Sequence, residues 1–146
     1  MSVPEGKRGE NPPLNAGLRA RELAAYTVHI CTNPKSFPPQ YQQALTDRII
    51  EAAVDVWVSV WTANNIMVGD DPRKWMERKR LQWRAIGDCN TLLALIGLAA
   101  PVFHLRGRRK KYWGLMTVET RNLIRRWADA DQRRYGGLEG DAKKAT

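Results

Sequence analysis

Residues 40–66 carry apolar side chains around more of a helical circumference than a surface helix can hide. Leu45, Ile49, Ala52, Val56, Val60 and Ala63 recur every three or four residues and make one helical face. Ile50, Val54, Trp57, Val58 and Trp61 add a second apolar face beside the first. The polar remainder narrows to Asp47, Glu51, Asp55 and Ser59, stacked on one side at intervals of four. Such a helix is central to a bundle or lies at a subunit interface, because one bundle core covers only one of its faces. At about 1.5 Å per residue it is expected to extend about 40 Å.

Three further helices are expected around it, and no strand. The first spans residues 18–32, with Leu23, Tyr26, Val28 and Ile30 among its apolar positions. Pro34, Pro38 and Pro39 stop it and force an extended connector, in which Phe37 is expected to reach the core. Gly69-Asp70-Asp71-Pro72 reads as a turn, an aspartate cap and a proline at the first helical position. The third helix then runs over residues 72–99, amphipathic and cationic at its start and almost wholly apolar at its end. Pro101 is expected to end it, and residues 104–111, HLRGRRKK, to form a basic loop. The fourth helix covers residues 112–134, with Met116, Thr120, Leu123 and Trp127 inward and Arg121, Arg125 and Arg126 outward. The fold class is therefore all-α, an up-and-down antiparallel four-helix bundle over residues 18–135. Residues 1–17 and 136–146, rich in Pro, Gly and charge without periodicity, read as a disordered arm and tail.

Charge separates the two halves of the chain. The net charge is +9 over 146 residues. Residues 1–70 hold 6 basic and 7 acidic side chains, whereas residues 71–134 hold 16 basic and 6 acidic, a local net of +10. A charge gathered in this way points to one surface made for a polyanion. A hydrophobic content of 43% is too high for a disordered chain, and the longest apolar runs fall short of the roughly 20 residues that span a bilayer. No membrane partner is expected. The polar, Pro-rich opening does not read as a secretory leader, so a cytoplasmic location is expected.

Catalytic chemistry has little to draw on. His29 and Cys31 are two apart, and positions i and i+2 do not face each other on a helix. Cys89 and His104 lie far off, so a four-ligand zinc site is unmotivated, and the acidic line of residues 47–55 reads as a solvated face. No phosphate-cradling glycine loop is present. No catalytic residue, metal or cofactor is expected.

The basic residues carry the stronger signal. Arg73, Lys74, Arg78, Arg80 and Arg84 come at helical spacings, with Lys79 among them. Arg106, Arg108, Arg109, Lys110 and Lys111 place five cations in six residues, and Arg121 and Arg125 continue the set toward Arg126, Arg133 and Arg134. Arginine's planar fork binds phosphate bidentately, so these side chains are the candidate contacts to RNA or DNA, read through phosphates with little sequence discrimination. Their start-of-helix-three and end-of-helix-four members are expected to adjoin. Of six tryptophans, Trp57, Trp61 and Trp127 fall on apolar faces; Trp75, Trp83 and Trp113 lie among cations, where core packing competes with stacking on bases.

The stretch Ser36-Phe37-Pro38-Pro39-Gln40-Tyr41, followed by Ala44-Leu45-Thr46-Asp47-Arg48-Ile49 and Ala52-Ala53, resembles the first helix junction of small bacterial four-helix bundle proteins. That superfamily includes the 23S ribosomal RNA intervening-sequence proteins and the accessory variability determinant of diversity-generating retroelements. In it an FP connector precedes an L-T/G-D-R/Q-I helix start, and Ala63-Asn64-Asn65-Ile66 matches an A-N or N-I pair near the end of the second helix. The resemblance spans about residues 20–135. The intervening-sequence branch carries N-I-A-E-G at that point, whereas Asn65-Ile66 here continues as Met67-Val68-Gly69, which favours the accessory branch. The resemblance implies a homopentameric barrel that binds both nucleic acid and the retroelement reverse transcriptase. Two other classes stay open at this point: a basic module that docks an acidic protein, and an enzyme using one of the His or Cys side chains.

Overall fold

The computed structural model describes residues 11–140. Four long helices make up the fold: α1 (Pro12–Cys31), α2 (Asp47–Asn64), α3 (Pro72–Phe103) and α4 (Gly107–Tyr135). No strand occurs among the described residues.

α1 begins six residues before the expected start. Asn11 accepts a hydrogen bond on its side chain from the Leu14 amide at 3.3 Å, and Pro12 and Pro13 occupy the first turn. An asparagine cap followed by prolines is a strong helix start, because proline's missing N–H is an orphan there in any case. Residues 12–17 are thus helix, and residues 1–10 of the expected arm lie outside the described residues. The connector ends in a 3-10 turn over Pro39–Tyr41 and a wide π turn over Gln42–Thr46 that lead into α2. Phe37 is buried there, 4.8 Å from the Phe103 ring and 6.2 Å from the Trp113 ring, centroid to centroid.

Pro101 does not end α3. It sits in the last turn, where it removes only one backbone donor, and the helix runs on to Phe103. His104, at φ 54°, then turns the chain, and the Leu105 amide bonds back to the Ala100 carbonyl at 3.0 Å, a left-handed C-terminal closure. The expected basic loop of residues 104–111 is correspondingly short. Only residues 104–106 connect the helices, and Arg108, Arg109, Lys110 and Lys111 belong to the first turns of α4.

Each helix packs along the two next to it in chain order, with α1 closing on α4. Contacts run antiparallel: along α3, Arg78, Trp83 and Asn90 meet Asp131, Arg125 and Arg121 in turn, advancing on one helix while retreating on the other. Likewise Thr27, near the end of α1, accepts from the Trp113 indole near the start of α4 at 3.0 Å. The α1–α2 and α3–α4 faces are consequently opposite sides of the bundle.

The interior has two layers. The layer at the α3–α4 connection is built of large side chains, among them Leu23, Ile30, Phe37, Ile49, Leu92, Phe103 and Trp113. The layer at the other end sets Ala16, Ala20, Ala63, Ala85 and Ala128 around Trp127, with Val56, Val60 and Ile124. Small residues let the backbones approach and one indole fills the gap they leave. On α4 the inward stripe is Trp113, Thr117, Thr120, Ile124, Trp127 and Asp131, so Met116 and Leu123 are half-buried rather than central.

α3 also has an 18-residue window of mean hydropathy 1.6, long and apolar enough to cross a membrane by length and composition. In the fold its apolar side is buried within the bundle through Leu92, Leu95, Ile96, Ala99 and Phe103.

Candidate nucleic-acid interface

The cationic half of the sequence becomes three separate surfaces. Arg73, Lys74 and Arg80 are exposed on the first turns of α3, at the end of the bundle shared with the end of α4. Arg121 and Arg125 lie midway along the α3–α4 face. Arg106, Arg108, Arg109, Lys110 and Lys111 sit at the opposite end, where α4 begins. A 29-residue helix separates the two ends by about 40 Å. The expected meeting of the α3 start with the α4 end is present, and the third cluster stands apart from it.

Arg78 belongs to none of these surfaces. Its Nε donates to Asp131 Oδ2 at 2.7 Å and its Nη1 to the Ile66 carbonyl at 3.1 Å. The guanidinium stacks between Trp127 and Tyr135, 5.3 and 5.9 Å from their ring centroids, with 11% of the side chain exposed. Gln82 donates to the same Asp131 oxygen at 2.7 Å. Arg78 thus ties α3 to α4 and to the α2–α3 turn from inside, and its expected phosphate contact is replaced by a buried carboxylate. Arg84 is exposed one turn before Asp88 on the same helix, where its charge lowers the proton affinity of that carboxylate.

The remaining cations face water. Among the described residues, ion pairs join Arg19 to Glu22, Arg78 to Asp131, Lys79 to Glu139 and Arg80 to Glu77. Of the candidate contacts, Arg73, Lys74, Arg84, Arg106, Arg108, Arg109, Lys110, Lys111, Arg121 and Arg125 make none. Arg121 instead donates to Asn90 Oδ1 at 3.0 Å, and Arg125 lies 5.2 Å over the Trp83 ring. Trp83 is 42% exposed, so its indole plane and the arginine form one cationic, aromatic step on the α3–α4 face. Trp75, Trp113 and Trp127 are fully buried.

The start of α4 concentrates the imbalance. Arg106 occupies the cap position with no side-chain hydrogen bond to the helix, and no acidic residue lies in the first turn. A helix N-terminus carries about half a positive charge, and five cations add to it rather than cancel it. An anion is the ordinary partner of such an end. Tyr26 and Tyr112 pack edge to face there at 5.3 Å, and Tyr112 is 55% exposed.

Comparison with family models, curated proteins and solved structures yields no match. Cys31 and Cys89 are buried, unpaired thiols pushed up to about 12 by desolvation, so at neutral pH they stay protonated and poorly nucleophilic. His29 and His104 are exposed. No group of metal-ligating side chains occurs among the described residues. Sequence reasoning missed the aromatic step of Trp83 and Arg125. The one signal for it was the tryptophan's place among cations, which also described the buried Trp75 and Trp113.

Proposed function

We propose that this chain is a non-catalytic accessory protein of a diversity-generating retroelement, which binds template RNA or cDNA through the α3–α4 half and docks the reverse transcriptase. The observation that carries the nucleic-acid part is the run of solvent-facing arginines and lysines along α3 and α4 that make no ion pair among the described residues. Their contacts are to phosphates, so binding is weakly selective for sequence and strongly dependent on salt. Trp83 and Tyr112 add exposed ring faces on which bases can stack. The resemblance of the α1–α2 junction and of the end of α2 to retroelement accessory proteins supports the assignment to that system, and the all-helical bundle is compatible with it. The same resemblance implies a homopentameric barrel. An oligomer also accounts for the exposed Trp61, Leu14 and Leu18 on the opposite face, which one bundle core leaves uncovered.

Fluorescence anisotropy with single-stranded RNA and DNA at increasing salt tests the reading. Binding at low salt is expected, with log affinity falling linearly against log salt. A flat salt response, or no binding at low ionic strength, rejects it. A protein that holds an acidic protein partner yet shows no saturable RNA binding is instead a basic interaction module of another mobile-element or ribosome-associated system.

A further inference from the structure

Three donors converge on a single carboxylate oxygen at the end of the bundle where α3 begins. Trp75 Nε1, Lys79 Nζ and Gln132 Nε2 lie 3.3, 2.6 and 3.0 Å from Glu139 Oε1. Trp75 is fully buried, and its ring is held at 5.5 Å from the Tyr135 ring, so the indole N–H is fixed in direction. Lys79 and Glu139 each keep 29% of their side chains exposed, so the site opens to water.

The chain reaches back to this site through Gly136-Gly137. The Gly136 amide bonds to the Gln132 carbonyl at 2.8 Å, and the Glu139 amide to the Gly136 carbonyl at 3.1 Å. A Cβ at position 136 would collide with the Gln132 carbonyl oxygen and stand 2.7 Å from Gln132 Nε2. Glycine there both permits the turn and leaves room for the amide that bonds Glu139. Residues 136–140 contribute no side chain to the buried core. Polar contacts and the half-buried Leu138 hold the segment, and water and ions compete with the polar ones. The bonds from Lys79 and Gln132 keep the Glu139 carboxyl below the usual glutamate range.

We propose that Trp75, Lys79 and Gln132 form an oxyanion site for a phosphate of bound nucleic acid, and that Glu139 is its built-in occupant, displaced when the phosphate enters. The inference rests on the nucleic-acid reading above and deepens it. A phosphodiester oxygen offers the same anionic acceptor as the carboxylate. Arg73, Lys74 and Arg80 are exposed on the same turns of α3 and raise the positive potential around that end of the helix, which draws a polyanion toward it. The two glycines supply the freedom for the tail to leave. Tail and nucleic acid then compete for one set of donors, and the closed tail lowers apparent affinity.

Three versions of the full chain decide the matter: wild type, Glu139→Gln and Asp70→Asn. Asp70 is an exposed carboxylate at the same end, so its removal controls for charge alone. Glu139→Gln is expected to tighten RNA binding about threefold more than Asp70→Asn, as follows if the tail is closed about two thirds of the time. It is also expected to steepen the salt dependence by about one phosphate contact. The indole N–H resonance of Trp75 supplies a readout independent of RNA. Inorganic phosphate is expected to move it in Glu139→Gln, less so in wild type, and not in the Lys79→Met, Glu139→Gln double variant. Equal affinities for Glu139→Gln and Asp70→Asn, with a Trp75 resonance indifferent to phosphate, overturn the proposal. Absence of RNA binding with a phosphate-dependent Trp75 shift rejects the functional reading while upholding the oxyanion site.

Discussion

Trp61 and Trp83 stand on opposite faces of the bundle with similar exposure, 55% and 42%. Trp61 shares its surface with Leu14, Leu18 and Trp57 across the α1–α2 groove, and Val58 lies one turn before it. Trp83 lies beneath the Arg125 guanidinium, near the pair of Arg121 and Asn90. The residue type is the same and the surroundings are opposed. A mostly apolar collar around an indole, broken here by one charged side chain, Arg21, favours a dry protein contact, whereas a cation on its face leaves the ring amphipathic and wet. One side of the molecule is thus suited to a subunit or protein partner and the other to a polyanion.

The largest test of this contrast concerns which cations work inward. Asp131 is buried and is the carboxylate for both Arg78 and Gln82. Asp131→Asn leaves a mostly buried guanidinium without a counter-charge and is expected to destabilise the fold by about 3 kcal/mol. The Arg121→Gln, Arg125→Gln pair, on exposed ground, is expected to change stability by less than about 0.5 kcal/mol. Urea unfolding of both variants checks the ranking, and equal losses would erase the distinction between inward and outward arginines.

Next comes the polyanion itself. Replacing Arg73, Lys74, Arg121 and Arg125 with glutamine is expected to weaken binding of single-stranded RNA about a hundredfold near 0.1 M salt and to flatten the salt slope by three to four contacts, roughly 0.7 each. Trp61→Glu is expected to leave both quantities unaltered. A matching loss from Trp61→Glu would show that the two faces do not divide the work. On the apolar side, the same Trp61→Glu variant is expected to shift the molar mass from light scattering toward the single 16.6 kDa chain, at a stability cost of about 0.5 kcal/mol or less. Wild type already at that mass would reject the oligomer.

Much of this was legible in the sequence, for identifiable reasons. The inner face of α2 is buried at every expected position from Leu45 to Ala63, because a period of three to four residues maps directly onto a packed stripe. Asp71-Pro72 announces its helix start, whereas the equivalent Asn11-Pro12-Pro13 is hidden by flanking Gly and charge that mask the same capping chemistry. Pro101 looks like a stop in the sequence, but a proline in a helix's last turn costs only one donor. The site suffered more than the fold. Arg78 and Arg80 are two residues apart, and nothing local marks one for a buried aspartate 53 positions away and the other for solvent. Glu139 lay in a Gly-rich stretch read as disordered, although the structure turns it back onto α3; residues 141–146 of that stretch lie outside the described residues.

The smallest effect tests the seam between the two halves, where α2 meets α3. Asp88 is half-buried there, its Oδ2 has no hydrogen-bond partner among the described residues, and Asp55 faces it from α2. Burial first and the Asp55 charge second push its carboxyl above the usual aspartate range, while Arg84 pulls the other way. A carboxyl with a raised folded pKa holds its proton more tightly in the native state than in the unfolded chain. Stability therefore falls as pH rises through the interval between the two values, and the cost is complete above the folded one. Asp88→Asn removes that cost and is expected to stabilise the protein at pH 7 by roughly half a kcal/mol, a figure kept small because solvent screens a group this exposed. The gain over wild type should shrink as the pH is lowered toward the ordinary aspartate range, where Asp88 is protonated in both states. Thermal unfolding of the two proteins across pH 3.5 to 7, as an approximate window set by ordinary carboxyl values, measures it. A gain that stays constant with pH would mean that it does not come from the Asp88 charge, and that Arg84, one turn before it on α3, offsets the burial and the Asp55 repulsion.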